Sequence, residues 1–151
     1  MKIQSILLFL LLPFVGFSQS KLESIKGTWI TNVGSDALLS EKNIKNSVAL
    51  CKAKGINTIF VVVWNNGVTM YPSKVLQNYI GLLQDSVYKG FDPIACIVKE
   101  GHAQGLKVHA WFEFGFSYAY KDSASIWNKK YPHWAGKNNK KLFYHYYFFQ
   151  F

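Results

Sequence analysis

Lys107-Val108-His109-Ala110-Trp111-Phe112-Glu113-Phe114 is the stretch on which the fold turns. It follows directly on Gly105, which closes a helical segment, and its aromatic and β-branched content suits a strand. Alternation along an extended chain sets His109, Trp111 and Glu113 on one side of it. Two earlier segments have the same character. Thr58-Ile59-Phe60-Val61-Val62-Val63 is an almost unbroken apolar, β-branched run, the pattern of a strand covered on both faces in the middle of a parallel sheet. Gly27 to Val33 alternates bulky and polar residues and ends at Gly34-Ser35-Asp36.

Helical segments separate these strands. Ser40 is an N-cap for a helix from Glu41 to Lys54, with Ile44, Val48 and Cys51 on one face and Gly55 at its left-handed end. Asp92-Pro93 opens the next helix: the carboxylate caps amides that lack partners, and proline lacks only a donor that would be unpaired there anyway. Ile94, Ile97, Val98 and Gly101 mark its inward face. Between Trp64 and Phe91 the pattern is weaker, with helix expected only around Val75 to Leu83. Beyond Gly115, Ser117 to Lys121 reads as a loop and Ser125 to Lys130 as a short helix.

Parallel strands need crossover connections, so strand-helix-strand-helix-strand predicts an α/β fold with a parallel sheet. A complete (β/α)8 barrel typically takes about 250 residues, and this sequence has 151. The expectation is the N-terminal part of a TIM (β/α)8 barrel, about three to four βα units, incomplete. A smaller open sheet is the alternative. Its flavodoxin-like form requires a phosphate-cradling, glycine-rich turn after the first strand, and Val33-Gly34-Ser35-Asp36 is too sparse for that.

Residues 1–18 read as a signal peptide, with Lys2 as the basic region, Ile6 to Val15 as the apolar one and Gly16-Phe17-Ser18 as the cleavage site. The apolar run falls short of the roughly 18 residues of a spanning helix and contains Pro13, so no stable membrane anchor is expected once the signal is removed. The destination is therefore periplasmic or extracellular. Net charge is +9, carried by lysine alone. Scattered lysines without a single arginine to fork onto phosphates or base edges make a solvated surface, and no nucleic acid partner is expected. Cys51 and Cys96 are expected to be free thiols inside helices. Residues 19–142 form the barrel portion. Residues 143–151, rich in aromatics and lacking turn residues, read as an aberrant or truncated tail, with a buried edge strand as the alternative.

Glu113 is the carboxylate nearest the C-terminal end of an inner strand and the catalytic candidate. Asn32, Asp36, Asn65 and Tyr71 follow the first two strands and fall on the same rim, where their polar groups suit sugar hydroxyls. Trp64, at the mouth of the second strand, is the better stacking platform, while Trp29 and Trp111 suit packing. His109 is expected to be a core imidazole bonded to backbone or a supporting residue, since one histidine makes no metal site. No metal or cofactor is expected. Hydrolysis of a glycosidic bond needs two carboxyl groups across that bond, and one good candidate is present.

Taken together, Gly27-Thr28-Trp29-Ile30-Thr31, Lys54 through Trp64, Tyr71-Pro72-Ser73, Asp92-Pro93, Gly101-His102, His109-Ala110-Trp111 and Tyr131-Pro132-His133-Trp134 resemble the N-terminal portion of glycosyl hydrolase-like family 10. The resemblance covers about residues 24 to 142 and rests on the order of several short motifs. It implies an exported bacterial protein with a TIM-barrel fold that acts on a carbohydrate, and it places Asp36, Tyr71, His109, Trp111 and Glu113 around the sugar-binding face. The resulting expectation is a secreted glycoside hydrolase-like protein acting on a polysaccharide or cell-wall glycan, with this chain a poorly soluble, inactive fragment. The alternative is a non-catalytic carbohydrate-binding domain using Trp64, Tyr71 and Trp111.

Overall fold

The structure, a computed structural model, describes residues 24–115, 117–120, 125–136 and 146–148. It is mixed α/β. Strand β1 (Gly27–Ile30) leads to helix α1 (Glu41–Ala53), and β2 (Thr58–Asn65) turns back into a two-residue strand β3 (Val68–Thr69). Helix α2 (Lys74–Ile80), a 3-10 turn at Ser86–Tyr88 and helix α3 (Pro93–Ala103) then precede β4 (Lys107–Phe112). The remainder comprises β5 (Ser117–Tyr120), α4 (Ile126–Lys130), a 3-10 turn at Pro132–Trp134, and β6 (Tyr146–Phe148).

β2 is the central strand, paired parallel with β1 on one side and with β4 on the other. Strand order thus follows chain order, and α1 and α3 pack against each other. Ile44 and Val48 of α1 and Ile97 of α3 join Ile30, Ile59 and Val61 in one buried cluster, so both crossover helices serve a single core. The caps work as their chemistry demands: Ser40 Oγ accepts from Asn43 N at 3.1 Å, and Asp92 Oδ1 accepts from Ala95 N at 2.9 Å. Gly101 lets α3 approach the sheet, because a Cβ there would lie 2.7 Å from Val108 Cγ2.

The other sheet face carries a row of rings. Trp29, Phe60 and His109 are in register across β1, β2 and β4. Trp29 stacks on Phe60 at 5.2 Å and Phe60 on His109 at 5.5 Å. Trp29 is 61% exposed, and His109 is exposed as well. The buried imidazole expected at position 109 is therefore corrected to a ring lying on Phe60, and Trp29 is no core residue. The reason is positional: in the described residues, α1 and α3 cover the opposite face.

Strand bounds differ from the sequence reading at their ends. β1 stops at Ile30 rather than Val33, and β4 stops at Phe112, one residue before Glu113. β2 runs two residues further than Val63, because Trp64 and Asn65 pair with Thr69 and Val68. Ser117 to Tyr120 is a strand and not a loop. Its partner, β6, lies in the segment read as an aberrant tail, and a pairing across that distance leaves no local signal. The other residues of 143–151, like residues 1–18, which read as a signal peptide, lie outside the described residues. Cys51 and Cys96 are free and half-buried, and burial raises both thiol pKa values.

Candidate functional site

At the C-terminal ends of the three parallel strands, short polar side chains converge on one carboxylate. Glu113 leaves β4 with its backbone N–H still donating to Trp64 O at 3.0 Å, which anchors it to the end of β2. Phe114 and Gly115 then both adopt left-handed backbone, with φ of 57° and 58°, and turn the chain sharply away. Glu113 Oε2 accepts from Asn65 Nδ2 at 2.9 Å and from Thr31 Oγ1 at 3.3 Å. The same Asn65 amide donates its second hydrogen to Asn32 Oδ1 at 3.0 Å. Asn65 ends β2, while Thr31, Asn32 and Glu113 directly follow β1 and β4, and Asn65, 7% exposed, is the hub.

This arrangement fixes one carboxylate oxygen from two directions and orients the group at the strand mouth. A carboxylate so held can accept hydrogen bonds from ligand hydroxyls or act in acid–base work. Asn32, Asn65 and Glu113 are thus brought together as the sequence suggested. Thr31 was missed: a threonine ending an alternating strand looks like a strand former, and only the register with β2 and β4 shows its hydroxyl at work. Asp36 lies in the exposed turn before α1, where its backbone carbonyl accepts from Asn43 Nδ2 at 2.8 Å and from Leu39 N at 3.0 Å. His109 lies on the ring row four residues earlier in the chain, and Trp111 is half-buried against the core.

Between the end of β2 and α2 opens a cleft of about 470 Å³. Trp64, Tyr71 and Phe112 form one part of its wall, and Tyr79 of α2 with Trp127 and Trp134 forms another. Trp64 and Tyr71 are the platforms the sequence singled out. The opposing aromatics were not. They are gathered by a second core in which Leu76 and Ile80 of α2 meet Tyr118, Trp127 and Ala135. Trp127 Nε1 donates to Gly67 O at 2.7 Å and ties this wall to the Asn66-Gly67 turn that follows Asn65. Tyr131 stacks on Trp134 at 4.4 Å, 14° from parallel, and donates its hydroxyl to Tyr79 O at 3.0 Å. The only advance sign of this wall was the aromatic run Tyr131-Pro132-His133-Trp134.

Among the described residues, no three histidine, cysteine or acidic side chains come together to hold a metal ion. Nor, among them, is any helix long and apolar enough to cross a membrane.

Comparison with known proteins adds to this geometry. Glycosyl hydrolase DigH of Escherichia coli is 33% identical over 85 residues, 55% of this chain and 19% of that protein. Glycosyl hydrolase YngK of Bacillus subtilis is 26% identical over 149 residues, 88% of this chain and 29% of that protein. The chain thus spans less than a third of the length of these curated relatives. A crystal structure of a hypothetical protein from Ruminiclostridium thermocellum superposes with a TM-score of 0.57 at 15% identity, over 81% of this chain and 60% of the other, and so shares the fold. The sequence profile of the family described as Glycosyl hydrolase-like 10 matches residues 24–146, and the chain belongs to that family.

Proposed function

We propose that this chain is the opening part of a glycan-binding (β/α)8 barrel of glycoside hydrolase type, with Glu113 as its carboxylate at the barrel mouth. The observation that carries the reading is the convergence of Thr31, Asn65 and Glu113 at the C-terminal ends of three adjacent parallel strands. In barrel enzymes the active site lies at the C-terminal ends of the strands. Sequential strand order with both crossover helices on one core favours a singly wound barrel, because a doubly wound sheet reverses its order and covers both faces. On the same reading Trp29 and Phe60 of the ring row are interior filling. The barrel portion is residues 19–142, and residues 1–18 direct export to the periplasm or beyond, which fractionation of cells expressing the chain tests directly.

Within the proposed site, Glu113 receives ligand hydroxyls, with Asn65 and Asn32 orienting it. Asp36, Trp64, Tyr71, His109 and Trp111 flank the ligand at greater distance. The family names of the relatives support a carbohydrate ligand. Cleavage requires a second carboxyl group across the scissile bond, and among the described residues the hydrogen-bonded cluster holds one carboxylate, Glu113. The chain alone is therefore expected to bind glycan without cutting it, which is also what a carbohydrate-binding module would do. Titration calorimetry with a panel of oligosaccharides tests both points. Binding weakened about tenfold or more by Glu113→Gln, the loss of one charge-assisted hydrogen bond, is the expected result. Saturable binding untouched by that change removes Glu113 from the site, and cleavage by the chain alone removes the binding-only reading.

A further inference from the structure

The hydrogen bonds around Glu113 leave two polar atoms unused. Asn65 Nδ2 carries only donor hydrogens, so each atom that it meets is an acceptor: Glu113 Oε2 at 2.9 Å and Asn32 Oδ1 at 3.0 Å. The second contact fixes the Asn32 amide with its oxygen toward Asn65 and its N–H hydrogens turned away. Glu113 Oε2 also accepts from Thr31 Oγ1 at 3.3 Å. Among the described residues, Asn32 Nδ2 donates to no group and Glu113 Oε1 accepts from none. Neither atom is sealed off. Both residues are half-buried, and among such residues no buried side-chain nitrogen or oxygen lacks a partner, so the two unused atoms reach solvent.

The open pair is therefore one donor and one acceptor, and both belong to groups tied to the same nitrogen of a buried residue. An ionised carboxylate oxygen only accepts, and an amide nitrogen only donates. A lone carboxylate reads donors alone; this pair asks a ligand for a donor and an acceptor side by side. A sugar hydroxyl serves in either sense, and hydroxyls on adjacent ring carbons stand next to each other. We propose that Asn32 contacts the ligand directly, and that it and Glu113 together hold two neighbouring hydroxyls of one sugar ring. The first donates to Glu113 Oε1, and the second accepts from Asn32 Nδ2. The inference rests on the glycan reading above and narrows it, because a ring without a free neighbouring pair is then poorly held at this point. Asn32 gains a role in specificity besides its part in orienting the carboxylate.

Methyl β-glycosides of glucose, galactose, mannose and xylose, with the monodeoxy forms of each, test this on the full chain by titration followed through NMR chemical shifts. For the sugar bound most tightly, removing the hydroxyl that meets Glu113 is expected to weaken binding about tenfold or more. Removing the one that meets Asn32 should weaken it about threefold to tenfold, the ranges for a hydrogen bond to a charged and to a neutral group. The two sensitive positions should be adjacent carbons, and this part of the test needs no variant to fold. Asn32→Ala should weaken binding of the parent sugar by about threefold to tenfold, with no further loss for the deoxy form that lacks its partner hydroxyl. If Asn32 acts only by orienting Glu113, the variant weakens every form by one common factor; that result overturns the proposal and leaves Glu113-dependent binding standing. Sensitive hydroxyls that are not neighbours, or none at all, overturn it as well. If no glycoside binds, recognition within one ring is overturned, and if the oligosaccharides above also fail, the glycan reading falls with it.

Discussion

A single amide decides whether the carboxylate is held. Asn65 supplies a hydrogen to Glu113 and another to Asn32, from a position with little access to water. Asn65→Ala is expected to lower stability by about 1.5–3 kcal/mol, the range for a hydrogen bond to a charged group, read from urea unfolding followed by tryptophan fluorescence. Asn65→Asp should cost more, since it sets a second carboxylate within bonding distance of the first. Gly67 is the other residue on which the site leans. It adopts φ of 79°, and a Cβ there would lie 2.5 Å from Tyr118 O and 2.8 Å from the Trp127 ring. Gly67→Ala is expected to cost about 1–2 kcal/mol for the left-handed backbone, with about 1–3 kcal/mol more for overpacking. Gly34→Ala, where φ is 62° but nothing lies within 4 Å, should show only the first contribution in the same experiment. Glu113 and Asn65 were legible in the sequence because polar residues at the ends of apolar strands are conspicuous. Thr31 was not, because its role comes from neighbours 34 and 82 positions away in the chain, by subtraction of 31 from 65 and 113.

Helices and strands followed local chemistry closely wherever that chemistry was self-contained. Ser40, Asp92 and Ser125 each cap the helix that follows, and the apolar faces of α1 and α3 are those that the periodicity marked. Packing between elements is a different matter, and Gly101 shows it. Inside a helix, glycine is ordinarily a weakness; here it is the point at which α3 meets β4. Gly101→Ala should lower stability by about 1–3 kcal/mol, because the nearest atom belongs to a β-branched strand residue with little freedom to move. Combining it with Val108→Ala should give a total loss smaller than the sum of the two single changes. A strictly additive double mutant would show that the close approach carries no energy. β5 illustrates the opposite limit: its existence depends on β6, so no window of sequence around Ser117 to Tyr120 contains the reason for it.

For the molecule as a whole, burial of Tyr88 ties stability to high pH. Burial, with Asp85 nearby, raises its phenol pKa above the ordinary value. The folded state therefore holds the proton more tightly than the unfolded chain does. The stabilisation is fully present below pH of about 10, the unfolded value, and is lost as pH rises through the folded one. Urea midpoints measured from pH 8 to 11 should fall more steeply above pH 10 for the parent than for Tyr88→Phe. Parallel curves would show that Tyr88 does not contribute. The two cores add a second consequence at this scale. Trp127 belongs to the core beneath the cleft yet bonds the turn after Asn65, so damage in one region is felt at the other.

The three parallel strands with the helices between them, the helix caps and the identity of the strand-end carboxylate were determined by the sequence itself, because period, capping and alternation act over a few residues. Tertiary structure alone decided which residues hold the Glu113 carboxylate, that His109 and Trp29 lie on an open sheet face, and that α2 and α4 bring aromatic rings together in one wall. Those outcomes depend on inter-strand register and on contacts between distant segments. Such contacts are selected by the free energy of the assembled fold and leave no mark within any one stretch of chain.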